Sequence, residues 1–183
     1  METITIVTGL PRSGTSLMMQ ILERSSIPIF TDGLRKKDIN NPEGYYELEA
    51  VKGIVKDNSF LTEAQGKAVK IVTPLPLFLD KSFKYRVLFM RRDLDEILLS
   101  QEKMLGKDQS SEREKFKAIY EQHLKKTNAF FETNEISYLD IWYKELISNT
   151  ENEIKKIMHF LELSENWEHL AIPVKPVLYR NKK

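Results

Sequence analysis

The chain has 183 residues, of which 41% are hydrophobic and 30% charged, and its formal net charge is +1. That length supports one domain with a substantial core, and the near-neutral balance leaves no electrostatic footprint for nucleic acid. With no cysteine, disulfides and thiolate metal sites are excluded, and the three histidines, at 123, 159 and 169, lack metal-ligand spacing and read as helix residues. No stretch reads as a signal peptide or membrane span, so the expectation is a single cytoplasmic domain over residues 1–183.

The alternating run Ile4-Thr5-Ile6-Val7-Thr8 reads as a strand. Gly9-Leu10-Pro11-Arg12-Ser13-Gly14-Thr15-Ser16 follows it, and Leu17, Met18, Ile21 and Leu22 then recur at helical spacing. A loop between strand and helix aims backbone N–H groups and the positive end of the helix dipole at an anion. Gly9 and Gly14 have the spacing of the phosphate loop G-x-x-x-x-G-K-[ST]. Thr15, however, stands where that loop has Lys, and the cation comes earlier, at Arg12. Such a loop can hold phosphate while presenting its charge from another side.

Further on, Ile27–Phe30 reads as a short strand, and Thr31 to Asn41 as a polar loop in which Arg35-Lys36-Lys37 is solvated. Asn40-Asn41-Pro42-Glu43-Gly44 is dense turn chemistry. Glu47 to Asn58 reads as a helix with Leu48, Val51, Ile54 and Val55 on one face. Ala68–Val72 is a strand halted by Pro74 and Pro76, and Tyr85–Met90 is a continuous apolar strand of the kind buried on both faces. A helix runs from Asp93 to Leu105 with Leu94, Ile97, Leu98, Met104 and Leu105 inward. A longer one covers Ser111 to Thr133, lined by Phe116, Ile119, Tyr120, Leu124 and Phe131. Glu135–Leu139 reads as a strand, Ile141-Trp142 as a helix start, Glu151–Leu161 as a helix, and residues 173–180 as a proline-rich extended arm. Trp142, Tyr143 and Trp167 read as packing residues. Strands alternating with helices predict an α/β fold, three layers α/β/α around a central parallel sheet. Ligands of such folds sit beyond the C-terminal strand ends, where both the glycine loop and Arg91-Arg92 fall.

Arg92 and Ser100 lie eight residues apart, one at a strand end and one two turns into the next helix. Helical phase puts Ser100 off the core face, on the side of Asp93, free to meet a ligand. An Arg fork and a hydroxyl converging on one anion make a phosphate clamp; the alternative is a surface serine and an arginine paired with Asp93 or Asp95.

In this order the two motifs resemble the sulfotransferase family that uses 3′-phosphoadenosine 5′-phosphosulfate (PAPS). Gly9 to Leu17 looks like the family's 5′-phosphosulfate loop, where Lys or Arg precedes Ser-Gly-Thr. Val87 to Asp93 with Ser100 looks like its 3′-phosphate motif. Ile136-Ser137-Tyr138-Leu139-Asp140 with Phe160-Leu161-Glu162-Leu163 is similar to its Tyr-x-Asp strand end and later Phe-Leu-x-Leu helix. The likeness spans Thr3 to about Leu163.

The resemblance implies a P-loop-NTPase-like sulfotransferase fold, PAPS as co-substrate without a metal, and sulfuryl transfer to the hydroxyl or amine of a small-molecule or carbohydrate acceptor. It assigns Pro11, Arg12, Ser13, Gly14, Thr15 and Ser16 to the 5′ end of the nucleotide, Arg92 and Ser100 to its 3′-phosphate, and Arg180 to a further cation in the arm. Arg12 would also neutralise charge on the departing phosphate. Many relatives carry a His base where Pro74 stands here, so Glu47 is the candidate base, with Glu43 and Asp32 behind it. Leu17 stands where relatives often place a Trp on adenine, which leaves the adenine contact open. The acceptor walls are expected in Thr31 to Tyr46 and after Met104. Two other readings are a kinase or NTPase with a degenerate loop, and a nucleotide-binding protein of the same fold that has lost its base.

Overall fold

The computed structural model describes residues 2–35 and 44–175. Its centre is a parallel sheet of β1 (Ile4–Gly9), β2 (Ala68–Lys70), β3 (Tyr85–Arg91) and β4 (Ser137–Trp142), in the spatial order β2-β1-β3-β4. The helices are α1 (Thr15–Leu22), α2 (Phe60–Glu63), α3 (Leu94–Leu105), α4 (Arg113–Thr133), α5 (Tyr143–Ser148), α6 (Thr150–Leu161) and α7 (Trp167–Ala171).

Every residue of β1 is buried, as a parallel strand covered on both faces requires. Period-two alternation sends its side chains to two cores. Val7, with Leu88 of β3 and Ile141 of β4, packs against Met18 and Leu22 of α1 and Ile157 of α6. Ile4 and Ile6, with Val69, Val87 and Phe89, pack against Leu61 of α2 and Phe131 of α4. The three-layer α/β/α architecture read from the sequence is therefore the one observed.

Because β1 sits between β2 and β3, the chain leaves β1 to one side and returns on the other. That reversal opens a crevice beyond the C-terminal ends of β1 and β3, the usual place for a ligand in an open α/β sheet. Gly9 pairs with Met90 at this edge.

Local expectations differ from the structure in three places. Ile27–Phe30 adds only an isolated bridge, Ile29 to Ala68; Pro28 has no N–H to extend the ladder, although its carbonyl accepts from Ala68. The helix expected over 47–58 is a single 3-10 turn, Glu49–Gly53, where Gly53 weakens any continuation. Ile141 and Trp142 do not start a helix; they extend β4, pairing with Met90 and Arg91, and α5 begins at Tyr143. The inward faces are also narrower than the periodicity suggests. Val55, Leu105 and Ile119 are exposed.

Phe131 is fully buried and meets Phe89 edge to face, with ring centroids 5.8 Å apart. Phe131→Ala is expected to destabilise the fold by about 3–5 kcal/mol, read in urea unfolding as a lower midpoint at unchanged slope.

Candidate active site

The loop that β1 delivers into α1 forms the floor of the crevice. Gly9 (φ 147°) and Gly14 (φ 104°) have backbones that side chains rarely adopt, and each is pressed against a neighbour. A Cβ on Gly9 would stand 2.6 Å from the Met90 carbonyl oxygen, and one on Gly14 would stand 2.6 Å from Cδ2 of Tyr143. Arg12 also sits in the left-handed region, at φ 71°, which is costly without glycine. No side chain caps α1, whose N-cap is Gly14, and no acid lies in its first turn. The positive end of the helix dipole therefore faces the loop without an acidic side chain of its own first turn. Ser13 is 1% exposed, and its buried Oγ has no hydrogen-bond partner. An orphan of this kind is rare enough to mark a place that a ligand can complete.

Arg92 and Ser100 reach the same loop from β3 and α3. Arg92 Nη1 donates to the Arg12 carbonyl oxygen at 3.1 Å and its Nε to Glu96 Oε2 at 2.9 Å. The two charged side chains are only 8% and 7% exposed, and the Arg92 guanidinium lies 4.5 Å from the centre of the Tyr143 ring. Asp93 caps α3 by accepting from the amides of Asp95 and Glu96, and Asp95 pairs with Lys117. Arg12 Nε donates to Ser100 Oγ at 3.0 Å, and Nη1 lies 3.7 Å from Met104 Sδ. Ser100 is therefore not on an open face, as helical phase predicts. It is 3% exposed, because the glycine loop covers that side of α3. The structure brings Arg12, Ser13, Gly14, Arg92 and Ser100 together, with Pro11, Thr15 and Ser16 on the same segment.

Two residues at this edge have partners that the sequence reading did not assign. Tyr143, read there as packing, lies under both Gly14 and Arg92, and burial raises its pKa while Arg92 pulls it down. It follows the true end of β4, so Tyr143-Lys144-Glu145 is a second Tyr-x-acid pattern beside Tyr138-Leu139-Asp140. Arg91, the neighbour of Arg92, stacks 3.5 Å from the Phe89 ring centre. It donates through Nε to Asp140 Oδ1 and through Nη2 to Asn128 Oδ1, each at 2.6 Å. A charge at the end of a buried strand, followed by an Asp within the next strand, is the signal that could have paired them.

The acid candidates are placed less centrally. Glu47 pairs with Arg35 at 2.6 Å and with Lys70 at 3.6 Å. Arg35, read as solvated, also stacks 3.5 Å from the Tyr45 ring centre. Asp32 accepts from the amides of Leu34 and Glu49, and these bonds lower its pKa; it braces the backbone. Glu43 and Arg180 lie outside the described residues. Pro74 precedes a 3-10 turn, Leu75–Phe78. Lys70, at the end of β2, is buried and hydrogen-bonded to the Tyr45 carbonyl. Burial lowers its pKa from 10.5 to about 8, against the pull of Glu47.

Three solved structures share this architecture. The chain is 13% identical to the sulfotransferase domain from the curacin biosynthetic pathway, with TM-score 0.55 over 96% of this chain and 78% of that one. It is 13% identical to the sulfotransferase domain from the Synechococcus PCC 7002 olefin synthase, with TM-score 0.58 over 100% and 90%. It is 12% identical to sulfotransferase STF9 from Mycobacterium avium, with TM-score 0.56 over 100% and 69%. No protein-family model matches the chain, and no curated protein matches it in sequence. What the chain shares with these proteins is their α/β fold. Among the described residues, no helix is long and apolar enough to cross a membrane.

Lys70 makes the fold pH-sensitive. Between about 8 and 10.5 it is largely neutral in the folded chain but still protonated in the unfolded one. The unfolded state then binds more protons, so stability rises with pH across that window. The slope approaches about 1.4 kcal/mol per pH unit. Urea unfolding on both sides of the window should show this rise, and Lys70→Met should flatten it relative to the parent chain.

Proposed function

We propose that the chain is a PAPS-dependent sulfotransferase that moves a sulfuryl group to an acceptor hydroxyl or amine. The observation that carries this reading is the meeting of Arg12, Arg92 and Ser100 at one loop. Two anion motifs, far apart in sequence, converge on one crevice, as a nucleotide phosphorylated at both its 5′ and 3′ positions would require. The shared fold of the sulfotransferase structures supports it, and the unpartnered Ser13 hydroxyl and uncapped start of α1 suit its phosphate.

In this reading the amides of Ser13 to Ser16 hold the 5′-phosphate, with Pro11 shaping the loop. Arg92 and Ser100 hold the 3′-phosphate, and Arg180 adds a cation from the C-terminal arm. The acceptor oxygen or nitrogen bonds to sulfur as the bond from sulfur to the bridging phosphate oxygen breaks. The acceptor proton passes to a carboxylate, for which Glu47 is the candidate. Negative charge grows on the departing phosphate, where Arg12 neutralises it. Fixed donors aimed at developing charge are commonly the largest catalytic contribution. Arg12 is also tied to Ser100, so its side chain can exchange a neutral hydroxyl for a charged oxygen when the nucleotide arrives.

Arg12→Ala should lower turnover by roughly 10²–10³ and weaken binding of 3′-phosphoadenosine 5′-phosphate much less; undiminished turnover with a radiolabelled sulfuryl donor would remove its role. Calorimetry should show that this bisphosphate binds more tightly than ATP with magnesium, the reverse order favouring a kinase. The paired change Arg92→Ala with Glu96→Ala, which leaves no buried lone charge, should weaken the bisphosphate by much more than inorganic sulfate.

A further inference from the structure

The side of β1 away from Arg92 carries a second cluster of charge. β2 is the neighbour of β1 there, and the chain just beyond β2 is tied to the glycine loop, since the Thr73 amide donates to the Gly9 carbonyl oxygen at 3.0 Å. Lys70 ends β2, with its side chain 5% exposed and bonded to the Tyr45 carbonyl oxygen. Its Nζ stands 3.6 Å from Glu47 Oε1. Arg35 Nη1 reaches that same oxygen at 2.6 Å, and its guanidinium stacks on the ring of Tyr45. Both cations thus engage Oε1, and Oε2 carries no ion pair among the described residues. The main chain at Glu47 is held as well. Thr31 Oγ1 donates to the Glu47 carbonyl oxygen at 2.6 Å, and Tyr46 Oη to Glu23 Oε2 at 2.6 Å. Tyr46 keeps a positive φ of 52°, a strained backbone of the kind that collects at functional sites. Strand stability does not account for the lysine. Taking an ammonium out of water is costly, and an apolar residue of similar size commonly serves a fold as well or better.

From this geometry we infer that Lys70 and Arg35 are positioning residues: they grip one oxygen of Glu47 and so present the other, Oε2, to the proton of the acceptor. The inference rests on the sulfuryl-transfer reading for that proton. In the step, the acceptor oxygen or nitrogen bonds to sulfur, and the bond from sulfur to the bridging oxygen breaks with its electron pair passing to the bisphosphate. The acceptor proton goes to Oε2. Lys70 and Arg35 touch neither reactant. Their part is to hold a carboxylate that would otherwise turn about its own side-chain bonds, and a misplacement of about 1 Å can cost about 10²-fold in rate. Burial lowers the Lys70 pKa to about 8, so at neutral pH the ammonium is still the major form and its pairing with Glu47 stands. The arrangement divides the chemistry across β1. The groups that hold the nucleotide come from the loop and from β3, and the group that takes the proton comes from the β2 side.

Turnover of the full chain is read with radiolabelled PAPS, as sulfuryl transferred to water and to ethanolamine. Glu47→Gln should lower it by about 10²-fold or more, and Lys70→Met by about tenfold. Each variant should keep the Kd of 3′-phosphoadenosine 5′-phosphate within about twofold of the parent by calorimetry. In the Glu47→Gln background Lys70→Met should cost nothing further, because it acts only through the carboxylate. A second tenfold loss there overturns the inference, since a lysine that merely supports the fold lowers both chains alike. Arg35→Gln, at a side chain 46% exposed, makes the same comparison without disturbing the buried strand. Carbon-13 spectra give a readout that needs no turnover. Lys70→Met and Arg35→Gln should each move the Glu47 Cδ signal, and Glu47→Gln should move that of Lys70 Cε. Unmoved signals overturn the inference even in an active chain. Moved signals in a chain that neither binds the bisphosphate nor transfers sulfuryl support the grip on Glu47 and overturn the sulfuryl-transfer reading instead.

Discussion

Arg92 joins the β1 loop, the end of β3 and the first turn of α3 through one buried guanidinium, bonded to the Arg12 carbonyl and to Glu96. Taking such a pair of charges out of water is costly, and it holds only where the remaining donors and faces are also satisfied. Here the Tyr143 ring covers a face of the fork, a contact that gains strength from the same desolvation. Breaking a buried pair by removing one partner costs about 3–5 kcal/mol, so the ion pair with Glu96 holds Arg92 in place. It is a cation fixed in advance of any ligand. The Arg12 backbone, held at a positive φ, depends on it, since the carbonyl that Arg92 grips belongs to that strained residue.

Arg12 is the opposite kind of cation. Its backbone is pinned, but its side chain is tethered to a neutral hydroxyl on Ser100 and a thioether on Met104. A neutral hydrogen bond of this sort is worth only about 0.5–1.5 kcal/mol net, whereas one to an ionised oxygen is roughly twice as strong. Of these two contacts, the one to Ser100 is therefore weaker than a bond from the same guanidinium to an anionic oxygen would be. The crevice thus combines a guanidinium paired with a buried carboxylate and one bonded to a neutral hydroxyl. That pairing suits chemistry in which charge grows at one atom during reaction, because the firmly paired group orients and the weakly bonded one responds.

Much of this was legible in the sequence, and the limits have physical causes. The glycine loop announces itself because only certain residues tolerate its backbone and because strand, turn and helix periods change within twenty residues. The eight-residue step from Arg92 to Ser100 is likewise readable, being fixed by one helix. The direction in which Ser100 faces is not, because helical phase ranks faces by hydrophobicity, and the side of α3 that carries Ser100 is covered by a polar loop rather than by a core. Tyr143 packs, as read, in the core beneath the sheet end, but its partners there, a glycine and a guanidinium, leave no periodic trace. Lys70 was missed for a related reason: a lysine in a strand reads as exposed, and only the tertiary fold supplies the Tyr45 carbonyl and Glu47 that hold it inside. Trp142 was assigned to a helix because an apolar aromatic run is ambiguous between the two periods; pairing with Arg91 settled it as strand.

The two adjacent arginines show how the sheet divides the site. Successive residues at a strand end point to opposite faces. Arg91 turns toward Phe89 and Asn128, on the α4 side, and Arg92 toward Tyr143 and the glycine loop. Each meets a carboxylate suited to its side, Asp140 from the next strand or Glu96 from the following helix. A slip of β3 by one residue would carry Arg91 to the face that Arg92 now occupies and part it from Asp140. The register is held from both sides, by Met90 against Gly9 and by Arg91 against Trp142. The two guanidiniums are thus sent to different partners by the pleat at the end of one strand. The precision of the site is accordingly a property of the sheet, and the loops above it only display what β3 has already sorted.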